Sequence, residues 1–170
     1  MLSAGGLPVL TDEQRASDDD NPLGYFELEA VTRLEQENAW FGDATGKVVK
    51  VILMLLPHLP AGCPCRVVFM ERDLREVIAS QAVMLERRGQ EGAAVKPDVL
   101  AGIFERQIAK TFHDLAARPN TELLKVSYAD TVADPVPTAE ALCSFLQPPA
   151  LDVEAMHAAV DPALYRQRKG

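Results

Sequence analysis

Apolar and polar positions are grouped along the chain in blocks that predict alternating strands and helices. Residues 97–117, 135–147 and 152–159 place apolar side chains at helical spacing, and so does the segment that follows Asp73. Between them lie short apolar segments of strand length, in the order 7–10, 46–53, 66–70 and 121–128. Strands that alternate with helices favour one domain over residues 1–170, an α/β fold of three layers, α/β/α, with a mainly parallel sheet.

The turn after the predicted strand 66–70 carries the clearest chemical signal. Arg72 ends that strand, where open α/β sheets place their ligands. Asp73 and Glu76 have the spacing of a capping box that begins a helix, and Ser80 follows two helical turns beyond Arg72. A guanidinium and a hydroxyl placed in this way can hold one phosphate. The alternative is an arginine at a solvated rim and a serine bonded to its own helix backbone.

Composition and charge restrict the class of protein. The 170 residues are 48% hydrophobic, enough for a folded core, and the formal net charge of −8 argues against nucleic acid as a partner. No apolar run is long enough to cross a bilayer and no secretory signal is present, so we expect a cytoplasmic protein without a membrane partner. The charge does not exclude an anionic small molecule, because a local arginine pocket can outweigh the global field.

The cysteines predict neither a disulfide framework nor a metal site. There are three of them, and an odd number suits a reducing cytoplasm. Cys63 and Cys65 lack the spacing of a zinc-ligand pair, and no second Cys/His pair accompanies them. We therefore predict no bound metal.

Two segments resemble the sulfotransferases, enzymes that use 3'-phosphoadenosine-5'-phosphosulfate (PAPS) as sulfuryl donor. Residues 68–80, VFMERDLREVIAS, resemble the segment of that family that binds the 3'-phosphate of the donor. The resemblance implies that Arg72 and Ser80 grip this phosphate. Residues 124–130, LKVSYAD, resemble a later strand and turn, which implies that Tyr128 lies near the adenine. The fold implied is the P-loop-NTPase-like fold of these enzymes.

The same resemblance implies transfer of a sulfuryl group from PAPS to a hydroxyl or amine, on an acceptor that the sequence does not identify. Lys50 would approach the leaving phosphate of the donor, although an edge lysine with a buried stem explains it equally well. Many family members carry a histidine base two residues later, where this chain has Ile52. His58 could serve as the base instead, and so could Glu27 or Glu29.

The beginning of the chain departs from the family pattern. Residues 1–4 are typical of the end of a longer helix, and the first strand and 5'-phosphosulfate loop of the family have no counterpart before them. We expect an N-terminally truncated domain, which either starts downstream of the true N-terminus or is a shortened paralogue. The second case favours a non-catalytic nucleotide-binding or interaction domain, and a sheet without a central strand could self-associate.

The C-terminal residues Arg168, Lys169 and Gly170 resemble another family element that holds the 3'-phosphate. That element is followed by further chain in the family, so coincidence is the alternative explanation.

Overall fold

Two parallel strands form the centre of the fold. The computed structural model describes residues 1–14, 16–18, 21, 23–87, 89, 95–147 and 149–165. Within them, β1 (Cys65–Glu71) pairs in parallel with β2 (Thr121–Ser127), from Cys65 opposite Thr121 to Glu71 opposite Ser127. Both strands therefore end at the same edge of the sheet. This pair confirms the strands predicted at 66–70 and 121–128.

Helices connect and cover the two strands. Five α-helices are present in the described residues: α1 (Leu74–Arg87), α2 (Pro97–Ala116), α3 (Tyr128–Ala133), α4 (Pro135–Phe145) and α5 (Val153–Ala158). The helices α1 and α2 lie in the connection that returns the chain from β1 to the start of its parallel neighbour. Aspartates cap the later helices, since Asp134 accepts from the amide of Val136 and Asp152 from that of Ala155. None of the helices described is long and apolar enough to cross a membrane.

The hydrophobic core consists of two clusters, one on each face of the strand pair. Val67 and Phe69 pack against the first cluster, whereas Val68 and Leu124 pack against the second. Alternate residues of a strand point to opposite faces, so the sheet is covered on both sides. The buried members of the first cluster are Leu34, Leu56, Leu59 and Leu115, and those of the second are Ala139, Leu142 and Met156. This is a mixed helix and strand fold with a small parallel sheet, and the full three-layer arrangement stays a prediction.

The strands predicted at 7–10 and 46–53 were wrong in their extent. In the structure these segments meet at one isolated parallel bridge, between Val9 and Val48. The second segment runs directly into a 3-10 helix, Leu53–His58. The predicted central strand is therefore a single-residue contact.

Hydrogen bonding explains why this ladder does not continue. The amide of Asp12 donates to the carbonyl oxygen of Glu27 (3.3 Å), and the Thr11 hydroxyl donates to the same oxygen (2.8 Å). The chain after residue 10 thus pairs with another loop instead of with the segment around Lys50. The apolar run at 46–53 predicted a strand buried on both faces, but the Ile52 side chain is 58% exposed.

The N-terminal residues dock on the last α-helix. Gly5 is buried, and its carbonyl oxygen accepts from the amide of Asp152 (3.1 Å). A Cβ atom at position 5 would lie 2.5 Å from Cγ of Met156, which is fully buried. Glycine is therefore required here by close approach to α5.

Candidate functional site

The carboxyl ends of β1 and β2 bring two of the predicted site residues together. Arg72 is the first residue after β1, and Tyr128 is the first residue after β2. The guanidinium carbon of Arg72 lies 4.8 Å from the centre of the Tyr128 ring, within the range of a cation–π contact. Ser127 fixes the turn that presents this ring, because its hydroxyl accepts from the amide of Asp130 (3.2 Å).

A second tyrosine, from the C-terminal segment, also lies beside Arg72. The Tyr165 ring packs edge-on against Tyr128, with centroids 5.0 Å apart, and lies 5.4 Å from the guanidinium carbon. Its hydroxyl donates to Oε2 of Glu76 (2.7 Å). We call Arg72, Glu76, Tyr128 and Tyr165 the Arg72 cluster. The sequence predictions missed Tyr165, and no local pattern in the sequence indicates it.

Glu76 makes contacts beyond those that its spacing from Asp73 predicted. Asp73 caps α1, since its Oδ1 accepts from the amide of Arg75 (2.8 Å). The Glu76 carboxylate is 7% exposed and its Oε2 lies 3.5 Å from Nε of Arg72. A nearly buried carboxylate thus lies in ion-pair contact with the arginine.

Ser80 lies on the same face of α1 as Glu76, one turn further along, and is half-buried. Arg72 lies two residues before α1, and Ser80 lies about 9 Å along the helix axis from its first residue, Leu74. The Arg72 side chain follows the helix in this direction, as its contact with Glu76 shows. No hydrogen bond joins Ser80 to the Arg72 cluster among the described residues. A group between the two residues would be needed to connect them.

Lys50 belongs to a second group of residues. Its ammonium nitrogen donates to the carbonyl oxygen of Tyr25 (3.1 Å) and to Oε1 of Glu27 (3.2 Å), and lies 5.8 Å from the centre of the Tyr25 ring. Lys50 and Glu27 are both about half exposed. We call Lys50, Glu27 and Tyr25 the Lys50 cluster. The sequence analysis named Lys50 for the leaving phosphate and Glu27 as a possible base, without predicting that the two side chains are in contact.

The loop around Asp12 holds the backbone that carries Glu27. Oδ2 of Asp12 accepts from the amide of Glu29 (2.6 Å), and Oδ1 accepts from the amide of Gln14 (3.2 Å). These two hydrogen bonds hold the pKa of the Asp12 carboxyl below its ordinary value, and the bond from the Glu29 amide has the larger effect. The Thr11 hydroxyl and the Asp12 amide also donate to the carbonyl oxygen of Glu27. Together these four hydrogen bonds fix the position of residues 27–29.

The remaining predicted site residues lie apart from both clusters. His58 is exposed at the end of its 3-10 helix, and no contact in the described residues joins it to Lys50 or Arg72. The predicted element Arg168, Lys169 and Gly170 lies outside the described residues. Among the residues that are described, no three His, Cys, Asp or Glu side chains come together as a metal site.

A shallow depression at the opposite, amino-terminal edge of the sheet does not carry site chemistry. Pro64, Cys65 and Asn120 line it together with Arg66 and Glu122. The last two form an exposed ion pair of 3.3 Å across the strands. The convergent aromatic and charged side chains lie at the other edge, where parallel sheets bind their ligands.

Comparison with known proteins gives a match to a family model. A model of the sulfotransferase family matches residues 9–152, about five-sixths of the chain. The matched part includes the Lys50 cluster and every member of the Arg72 cluster except Tyr165. Searches of curated proteins and of solved structures gave no significant match.

Proposed function

Because the chain belongs to the sulfotransferase family, we propose that it transfers a sulfuryl group from PAPS to a hydroxyl or amine acceptor. We also place it in the three-layer, P-loop-NTPase-like fold class, since core clusters cover both faces of its parallel strand pair. One observation carries the functional proposal. The Arg72 guanidinium lies over the Tyr128 ring at the edge where both strands end.

In this proposal the Arg72 cluster binds the nucleotide part of the donor. The guanidinium, from the turn before α1, and the Ser80 hydroxyl, on α1, hold the 3'-phosphate between them. Tyr128 contacts the adenine, since its ring is already one wall beside the arginine. The contacts with Glu76 and the two rings hold the guanidinium in place before the ligand arrives, which lowers the entropic cost of binding.

The Lys50 cluster acts on the reacting end of the donor. The acceptor oxygen or nitrogen attacks sulfur, and the bond between sulfur and the bridging phosphate oxygen breaks. The products are the sulfated acceptor and 3',5'-adenosine diphosphate (3',5'-ADP). Lys50 stabilises the negative charge that develops on the leaving phosphate. The acceptor proton passes to a base on the protein.

We propose Glu27 as this base, in preference to His58 and Glu29. Its carboxylate is 3.2 Å from the Lys50 ammonium. In this proposal Glu27 receives the acceptor proton while Lys50 stabilises the leaving phosphate. The backbone bonds of Thr11 and Asp12 hold residue 27 in place. His58 is exposed and has no described contact with Lys50, which argues against it.

Binding of 3',5'-ADP tests the donor site directly. We expect isothermal titration calorimetry to show tighter binding of 3',5'-ADP than of 5'-AMP, which lacks the 3'-phosphate. Arg72→Ala should remove this preference, because it removes the charged donor to that phosphate. Arg66→Ala is the matched control, since Arg66 lies on the same strand at its other end. Equal binding of the two nucleotides by the unaltered chain would contradict the proposed donor site.

The assignment of the base is tested by transfer of labelled sulfate from PAPS to a panel of phenols and amines. We expect Glu27→Gln to lower kcat by about a hundredfold or more, as loss of a general base does, with affinity for 3',5'-ADP retained. His58→Asn should leave both values unchanged. The reverse pattern would assign the base to His58.

A further inference from the structure

The C-terminal segment contributes a residue to the Arg72 cluster that no resemblance assigned. Tyr165 follows the short 3-10 helix Pro162–Leu164, which Asp161 caps by accepting from the amide of Ala163 (2.9 Å). This cap sets the direction of the segment just before the tyrosine. Tyr165 then contacts all three other members of the cluster.

Each part of the Tyr165 side chain has a separate contact. The ring lies beside the Tyr128 ring and the guanidinium, at 5.0 and 5.4 Å. The hydroxyl donates to the same oxygen of Glu76, Oε2, that lies 3.5 Å from Nε of Arg72. The carboxylate is thus held from one side by the tyrosine and holds the arginine on the other.

From these contacts we infer that Tyr165 is a positioning and specificity residue of the nucleotide site. Its hydroxyl acts through Glu76 to fix the direction of the Arg72 guanidinium, and its ring forms a second aromatic wall beside Tyr128. The ligand that fits has a planar base next to a phosphate. The inference rests on the proposed donor site and extends it to a residue outside the family match.

The geometry gives a specific reason why direction matters in this site. The Glu76 carboxylate beside Arg72 offsets part of the positive charge that would attract a phosphate. Affinity then depends on whether the N–H groups of the guanidinium face the phosphate. A side chain with this many rotatable bonds keeps one direction only if its neighbours hold it.

Two substitutions separate the hydroxyl from the ring. Tyr165→Phe keeps the ring and removes the bond to Glu76, so it should weaken binding of 3',5'-ADP by about tenfold, the effect of one hydrogen bond to a charged group. Binding of 5'-AMP should not change, because that ligand has no 3'-phosphate. Tyr165→Ala removes the wall as well and should weaken binding of both nucleotides.

Tyr25→Phe is the matched control. It also removes a tyrosine hydroxyl bonded to a carboxylate, that of Asp18 at 2.6 and 2.8 Å. Tyr25 has no described contact with Arg72, and both nucleotides carry the 5'-phosphate. The ratio of the Kd values for 5'-AMP and 3',5'-ADP should therefore stay at the value of the unaltered chain. Thermal unfolding of each variant checks that it is folded. If Tyr165→Ala does not fold, the isosteric Tyr165→Phe variant still tests the inference.

The outcomes are distinguishable. A loss in Tyr165→Phe confined to 3',5'-ADP supports the inference. Unchanged binding of both nucleotides by both Tyr165 variants would overturn it while leaving the donor site in place. Tighter binding by Tyr165→Ala would also overturn it, because the segment would then cover the site instead of forming it. Failure of the unaltered chain to bind 3',5'-ADP would overturn the proposed function itself, and the inference with it.

Discussion

Removing the Arg72 side chain should destabilise the fold as well as the donor site. Arg72→Ala takes away the guanidinium beside Glu76, which is 7% exposed, and leaves its carboxylate nearly buried. It also removes the cation–π contacts with Tyr128 and Tyr165. The expected result is a lower free energy of unfolding, together with the loss of phosphate preference described above.

The magnitude follows from the burial of the two partners. Breaking a fully buried ion pair costs about 3–5 kcal/mol. Arg72 is 25% exposed and the Tyr165 hydroxyl still bonds to Glu76, so the lower part of this range applies. Contacts with two aromatic rings add roughly 0.5–1 kcal/mol each. We expect a total of about 4–5 kcal/mol, or a Tm lower by roughly 8–20 °C for a chain of this size.

Urea denaturation followed by circular dichroism measures this difference. The double variant Arg72→Ala/Glu76→Gln should recover about 1–2 kcal/mol, because the amide can accept from Tyr165 without leaving a buried charge. Arg66→Ala, which breaks an exposed pair with Glu122, should cost about 0–1 kcal/mol. If Arg72→Ala and Arg66→Ala differed by less than 0.5 kcal/mol, the argument from burial would be refuted.

Two further predictions concern the N-terminal half of the chain. Gly5→Ala should lower the free energy of unfolding by about 1–3 kcal/mol, because its Cβ would overlap Met156. Gly62 has open space around it, so the control Gly62→Ala should have little effect. Equal stability of the two variants in urea would contradict the overlap. Asp12 should titrate below its ordinary pKa in carbon-13 NMR, since the Glu29 amide stabilises the charged form. Its contribution to stability is present above the ordinary pKa and is lost as the pH falls through the lowered one, so a normal titration would contradict this bond.

The parts of the fold that could be predicted from the sequence are those with local causes. The strand β1 and the helix α1 follow from an apolar run, a capping aspartate and helical spacing. The structure has the strand within one residue of the predicted bounds, and the helix begins directly after Asp73 as predicted. The prediction of a strand at 46–53 was wrong because an apolar run does not show which segment its backbone will pair with. The bonds of Thr11 and Asp12 to Glu27 settle that question, and they join loops that are far apart in the sequence.

The same distinction applies to the candidate site. Arg72 and Tyr128 could be found because each follows a predicted parallel strand, and parallel strands end at one edge. Tyr165 could not be found, because the bond that places it joins residues 89 positions apart, with no pattern around it. Glu76 was singled out only by its spacing from Asp73, which suggested a capping box. That spacing does not indicate that its carboxylate bonds to Tyr165 and lies beside Arg72.

The charge balance within the Arg72 cluster links the stability of this chain to its proposed chemistry. A protein with a net charge of −8 repels a polyanionic donor at long range, and Glu76 offsets part of the positive charge of Arg72. Recognition of the phosphate then depends more strongly on hydrogen bonds with a fixed direction. Fixing that direction requires Tyr128 at the end of β2 and Tyr165 from the C-terminal segment to lie together beside Arg72. The contacts that hold these segments of the fold together are therefore the contacts that would make the guanidinium selective for a phosphate.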